Sequence, residues 1–133
     1  MILRLAFFLT FHSLVFGDNI ASLLFHGNCT MCHVETKTVS APSIVEVKKH
    51  YKSAFAKKED FVHYMAQWVV KPNAETSIMQ HAIERHGLMP HLGYDIPTIE
   101  VIAAYMYDTD FEKPHEGHAE PKARDRHSKP AKQ

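Results

Sequence analysis

Both cysteines of this 133-residue chain, Cys29 and Cys32, lie in one short stretch, "NCTMCHVET", with His33 directly after the second. Few features constrain a fold as much. Such a pair closes a small disulfide, supplies half of a metal site, or anchors a cofactor. Each choice demands different surroundings.

The N-terminus narrows the choice. "MILRLAFFLTFHSLVFG" has one basic residue, Arg4, followed by an apolar run from Leu5 to Phe16. Gly17 ends it with Val15 two positions earlier, a pattern compatible with signal cleavage. Residues 1–17 are therefore expected to be a secretory signal peptide, with an uncleaved membrane anchor as the alternative. The run is short for a span and is interrupted by His12 and Ser13. With no cysteine near the cleavage point, a lipid anchor is not expected there. Export into an oxidising compartment makes a disulfide the default state of a cysteine pair. A bridge over only two intervening residues, however, closes so little chain that it stabilises little.

Charge excludes another class. Fifteen Lys plus Arg balance fifteen Asp plus Glu, and removing the leader removes only Arg4. A near-neutral exported domain has no field for nucleic acid, and five glycines offer no phosphate-cradling loop.

Helical periodicity dominates from Asp18 to Phe111. "NIASLLFHGNC" carries Ile20, Leu23, Leu24 and Phe25 at helical spacing. "IVEVKKHYKSAF" fits a short helix or two irregular turns. "KKEDFVHYMAQWVVKPN" has a stripe of Phe61, Met65, Trp68 and Val69, ended by Pro72. "ETSIMQHAIERHG" puts Ile78, Met79, Ala82 and Ile83 on one face, with Gly87 as C-cap. "IPTIEVIAAYMYDTDF" puts Ile99, Ile102, Ala103 and Met106 on one face, with Pro97 in its first turn. The expected fold class is all-α, about four helices in a domain spanning 18–111. Long loops after His33 and around Met89 leave it short of core, and a large buried cofactor would supply the missing apolar mass. The polar tail, residues 112–133, has only prolines and alanines as apolar residues and is expected to be disordered. Its His115 and His118 could hold a metal weakly.

Three chemistries compete for Cys29, Cys32 and His33. A redox CxxC belongs in an α/β setting, whereas this context is helical. A structural zinc site needs four ligands, and no second cysteine pair exists. The eleven histidines are not set at ligand spacing after a finger-like interval. A c-type haem needs two thiols about one helical turn apart for its vinyl groups and a following histidine for the iron. Export fits, because bacteria attach such haem outside the cytoplasm. One covalently bound haem c is thus the expected cofactor, with His33 as an axial ligand.

The other face of the ring needs a ligand too. Met31 lies within the attachment loop, and Met65, Met79 and Met106 fall on core stripes. Met89 lies off any helix, held extended by Pro90, far enough along the chain to wrap around a ring. It is the expected sixth ligand. His86 and His91 flank it as competitors, and an open five-coordinate iron is the third option.

These residues resemble class I monohaem cytochrome c over most of 19–111. "CTMCH" is similar to the attachment motif and "LMP" to the family's Met-Pro, which carries the distal ligand to Met89. Phe25, four residues before Cys29, and Tyr105 in "IAAYM" resemble the aromatic pair of the terminal helices. Pro42 in "SAPSI" resembles the loop proline whose carbonyl accepts a hydrogen bond from the proximal histidine. Two positions depart from the pattern: Ala21 stands where a glycine is usual, and Ala41 where the family has Gly before Pro. Trp68 could donate to a haem propionate, as a tryptophan does in some members, or be a core aromatic. The resemblance implies a small cytochrome c fold of about four helices wrapped around one haem. It implies a monomeric, periplasmic, non-enzymatic carrier of single electrons that docks weakly and transiently on redox partner proteins. Contact with a membrane is expected only if the leader stays uncleaved. Lys48, Lys49, Lys52, Lys57 and Lys58 could steer an acidic partner or be solvated surface, while the rest of 18–111 has more acids than bases. The alternative function is a haem subunit, or a gas-binding sensor, of a respiratory or sulfur-oxidising complex, with a displaceable sixth ligand.

Overall fold

A computed structural model describes residues 13–113, with side chains from residue 20 onward. The expected leader, apart from residues 13–17, and the tail beyond residue 113 lie outside the described residues. Five helices follow in order: α1 (Ser13–Asn28), α2 (Ile44–Ala54), α3 (Lys58–Val70), α4 (Gln80–His86) and α5 (Ile96–Asp108). No strand occurs among the described residues. The chain is all-α, with one helix more than the periodicity counted. Among these residues no helix is long and apolar enough to cross a membrane. The expected cleavage point at Gly17 falls inside α1.

The extra helix is α2, where the sequence left a helix or irregular turns open. Its start is set by Ser43, whose hydroxyl accepts from the Glu46 N–H. Such a cap contributes about 1 kcal/mol. Two turns apart, Ile44 and Tyr51 are buried on one face. Helix α5 begins in a similar way. The Asp95 carboxylate accepts from the Thr98 N–H at 2.8 Å, and Pro97 falls in the first turn, where its missing N–H costs nothing.

Helix α3 packs most extensively on α5, and α1 crosses α5. At the α1–α5 crossing, Ala21 is buried and Phe25 is completely so. The Phe25 ring lies 5.3 Å from Tyr105 and 5.1 Å from Phe111, centroid to centroid. Burying such a side chain contributes roughly 1.5–3 kcal/mol. Phe61 is the other fully buried ring, set edge-on to Tyr51 and Tyr107.

Three of the five lysines that could face a partner are engaged internally. Helix α5 has no base in its last turn, so its C-terminal carbonyls, the negative end of the helix dipole, lack a cation of their own. Cations arrive from elsewhere: the Lys48 ammonium donates to Thr109 O, and Lys58 pairs with Asp108. Lys52 sits over the Tyr107 ring, 4.0 Å from its centroid.

Candidate functional site

The backbone leaves α1 without leaving helical geometry at once. The Cys29 N–H donates to Phe25 O at 2.9 Å, and the His33 N–H donates to Cys29 O, also at 2.9 Å. Asn28 and Thr30 side chains satisfy the carbonyls of Leu24 and His26, so the helix end is closed before the loop begins. Cys29, Cys32 and His33 are thereby set on a single continued turn. Both thiols are free. Cys32 is exposed; Cys29 is half-buried, and desolvation pushes its thiol pKa up to about 11. A thiol held protonated is a poor attacking group for disulfide exchange at neutral pH.

The loop after His33 folds back on itself. Ile44 and Val45 N–H groups donate to Val34 and Glu35 carbonyls, and the Ser40 hydroxyl donates to Cys32 O at 3.1 Å. This brings Pro42 beside His33, with His33 Nδ1 2.8 Å from Pro42 O. A bond to a carbonyl oxygen places the proton on Nδ1 and leaves the Nε2 lone pair available.

These residues border a cavity of about 270 Å³, near the lower end of the ~300–1,000 Å³ usual for ligand sites. Its walls are Ile44, Val47 and Tyr51 of α2, Met65, Trp68 and Val69 of α3, and Ile99, Ile102 and Met106 of α5. Helix α4 adds Ala82, Ile83 and His86, and the following loop adds Leu88, Met89, Pro90 and Leu92. No Asp, Glu, Lys or Arg lines it.

All six residues singled out in the sequence, Cys29, Cys32, His33, Pro42, Trp68 and Met89, line this one cavity. Met89 lies between Gly87 (φ 82°) and Gly93 (φ 76°). Both glycines occupy the left-handed region that side chains resist, one on each side of Met89. Of the two competing histidines, His86 lines the cavity and His91 does not. The Trp68 ring forms wall, while its indole N–H donates to Asn73 O at 3.0 Å. A role as propionate donor would require giving up that bond.

Two cavity residues carried no signal in the sequence. Tyr94 donates its hydroxyl to Asn28 Oδ1 at 3.1 Å, bracing the residue before Cys29 against the end of the Met89 loop. Ser40 fixes the Cys32 carbonyl. Neither spacing nor residue type distinguishes them from loop polar residues. Met79 also departs from expectation: it precedes α4 as its N-cap rather than lying on a helical face, yet is buried. The reason is a polar turn, in which Asn73 Oδ1 accepts from the Glu75 N–H and Gln80 donates to Ala74 O and Ser77 O. These side-chain bonds compete with helix through residues 73–79.

The donor set fits a haem c. Two thiols on one helical turn, an imidazole oriented through Nδ1, and a thioether on a loop all border the same apolar cavity. Compared with protein-family models, curated proteins and solved structures, the chain matches none.

Proposed function

We propose that the chain is an exported c-type cytochrome that carries single electrons between redox partner proteins. One observation carries this: Cys29, Cys32, His33 and Met89 converge on a single, mostly apolar cavity with no Asp, Glu, Lys or Arg in its lining. When bound there, haem c supplies reversible Fe(III)/Fe(II) exchange, with no bond chemistry on a substrate.

The residues divide the work. Cys29 and Cys32 would hold the haem covalently through their thiols, while His33, through Nε2, and Met89, through its thioether sulfur, would be the residues available to its iron. The Pro42 carbonyl orients the His33 ring and strengthens it as a donor. Apolar walls disfavour the extra charge of the ferric state, and a methionine ligand acts in the same direction, so both raise the potential relative to bis-histidine ligation. In this reading the chain has no catalytic residue of its own, works in the periplasm, and docks through small transient interfaces.

The test is a spectroelectrochemical titration of the full chain purified from a periplasm able to attach haem. A reversible one-electron wave with low-spin spectra in both states is expected. A high-spin spectrum that shifts readily with carbon monoxide would favour the sensor or subunit alternative.

A further inference from the structure

The histidines that looked unarranged along the chain include two that the fold brings together. Glu46 and His50 lie one turn apart on α2, and His81 enters from the first turn of α4. His81 Nε2 is 3.0 Å from Glu46 Oε1, and the His50 and His81 rings are 4.9 Å apart, centroid to centroid. One ligand atom from each of the three lies within 4.8 Å of the others. None of the three lines the cavity described above.

We propose that Glu46, His50 and His81 form a binding site for a divalent cation of borderline softness, typified by Zn²⁺. Two imidazoles and one carboxylate are a donor set that such ions take, with water completing the shell. The separations suit it. Tetrahedral zinc with bonds of 2.0–2.1 Å sets its ligand atoms about 3.3 Å apart. The His81–Glu46 pair is already near that distance, and rotation of the His50 ring supplies the third corner.

A second shell is also in place. The Thr38 hydroxyl donates to Glu46 Oε2 at 2.8 Å, fixing the carboxylate so that Oε1 faces the histidines.

The site would act as a clip. Helix α4 has seven residues and belongs to none of the closely packed helix pairs. It is followed directly by Gly87 and the Met89 loop. A cation bridging His81 to Glu46 and His50 would tie α4 to α2 and so hold the base of that loop. The inference does not depend on the haem reading, because its ligands are outside the cavity.

The test is calorimetric titration of the chelator-stripped full chain with ZnCl₂. One equivalent is expected to bind with a rise in melting temperature. His81→Ala and Glu46→Gln should each abolish this binding, and Thr38→Val should weaken it by roughly tenfold. Replacing His115, His118 and His127 with alanine should leave it intact. The isosteric Glu46→Gln covers the case in which His81→Ala fails to fold. No binding by the parent chain, binding that survives Glu46→Gln, or binding lost with the tail histidines would overturn the proposal.

Discussion

His33 Nδ1 lies 2.8 Å from the carbonyl oxygen of Pro42, nine positions along a loop that two backbone bonds fold back on itself. The acceptor is main chain, so substitution at Pro42 does not remove it; what proline contributes is a fixed φ that holds the carbonyl in place. Pro42→Ala should cost about 0.4–1 kcal/mol of stability through the freer unfolded chain. It should also loosen the histidine bond and weaken His33 as an electron donor. The expected shift in midpoint potential is upward and no more than about 60 mV, a factor of ten in a one-electron equilibrium. Voltammetry of the variant checks it, and a downward shift would contradict the role given to Pro42.

Of the cavity methionines, Met65 and Met106 lie on helices and Met79 is buried in the core, whereas Met89 is half-buried on a loop. Met89→Ala should abolish the low-spin ferric spectrum or replace it with that of a different ligand, while His86→Ala should leave it unchanged. Visible and near-infrared spectra of the two variants decide between the residues. A spectrum lost in His86→Ala and retained in Met89→Ala would transfer the ligand to His86.

Phe25 joins the two ends of the domain, touching Tyr105 in α5 and Phe111 beyond it. It has no exposed surface, so Phe25→Ala leaves a cavity at the α1–α5 crossing. The expected loss is about 3–5 kcal/mol, measured as a lower urea midpoint. Tyr105→Ala should cost less, since Tyr105 is only partly buried.

Cys29 and Cys32 should differ in reactivity when the chain is made without haem. Exposed Cys32 should alkylate first at neutral pH, and Cys29 should react slowly until pH approaches its raised value of about 11. The linkage has a definite sign. The folded Cys29 pKa lies above the ordinary thiol value of 9.0, so its contribution to stability is complete below pH 9.0 and declines as pH rises toward 11. With haem attached neither thiol remains, and both the alkylation and this alkaline loss should vanish. Mass spectrometry after iodoacetamide treatment across pH reads both.

Local and periodic features were legible in the sequence. The stripes Phe61–Met65 and Ile99–Ile102–Ala103–Met106 are buried on α3 and α5, because a 3.6-residue period leaves only one face for the core. Gly87 closes α4 with a positive φ, as its position after "ERH" implied. Features that arise from tertiary pairing were not legible. Helix α2 shows only Ile44 and Tyr51 as buried residues, too sparse a pattern to separate helix from turns. Trp68 reads as a free donor until Asn73 O is placed beside it. Lys48, Lys52 and Lys58 read as solvated surface or a partner-facing patch, since nothing in their spacing announces the end of α5. Glu46 and His50 are an ordinary i, i+4 pair until His81 arrives from another helix.

The most direct measurement is whether haem remains on the denatured polypeptide. The full chain, exported in a host that attaches c-type haem, is run on a denaturing gel and stained for haem peroxidase activity. Stain should travel with the parent chain and be lost when Cys29 and Cys32 are both replaced by alanine. A parent chain that carries no stain, or a double variant that keeps it, would contradict covalent attachment at this pair.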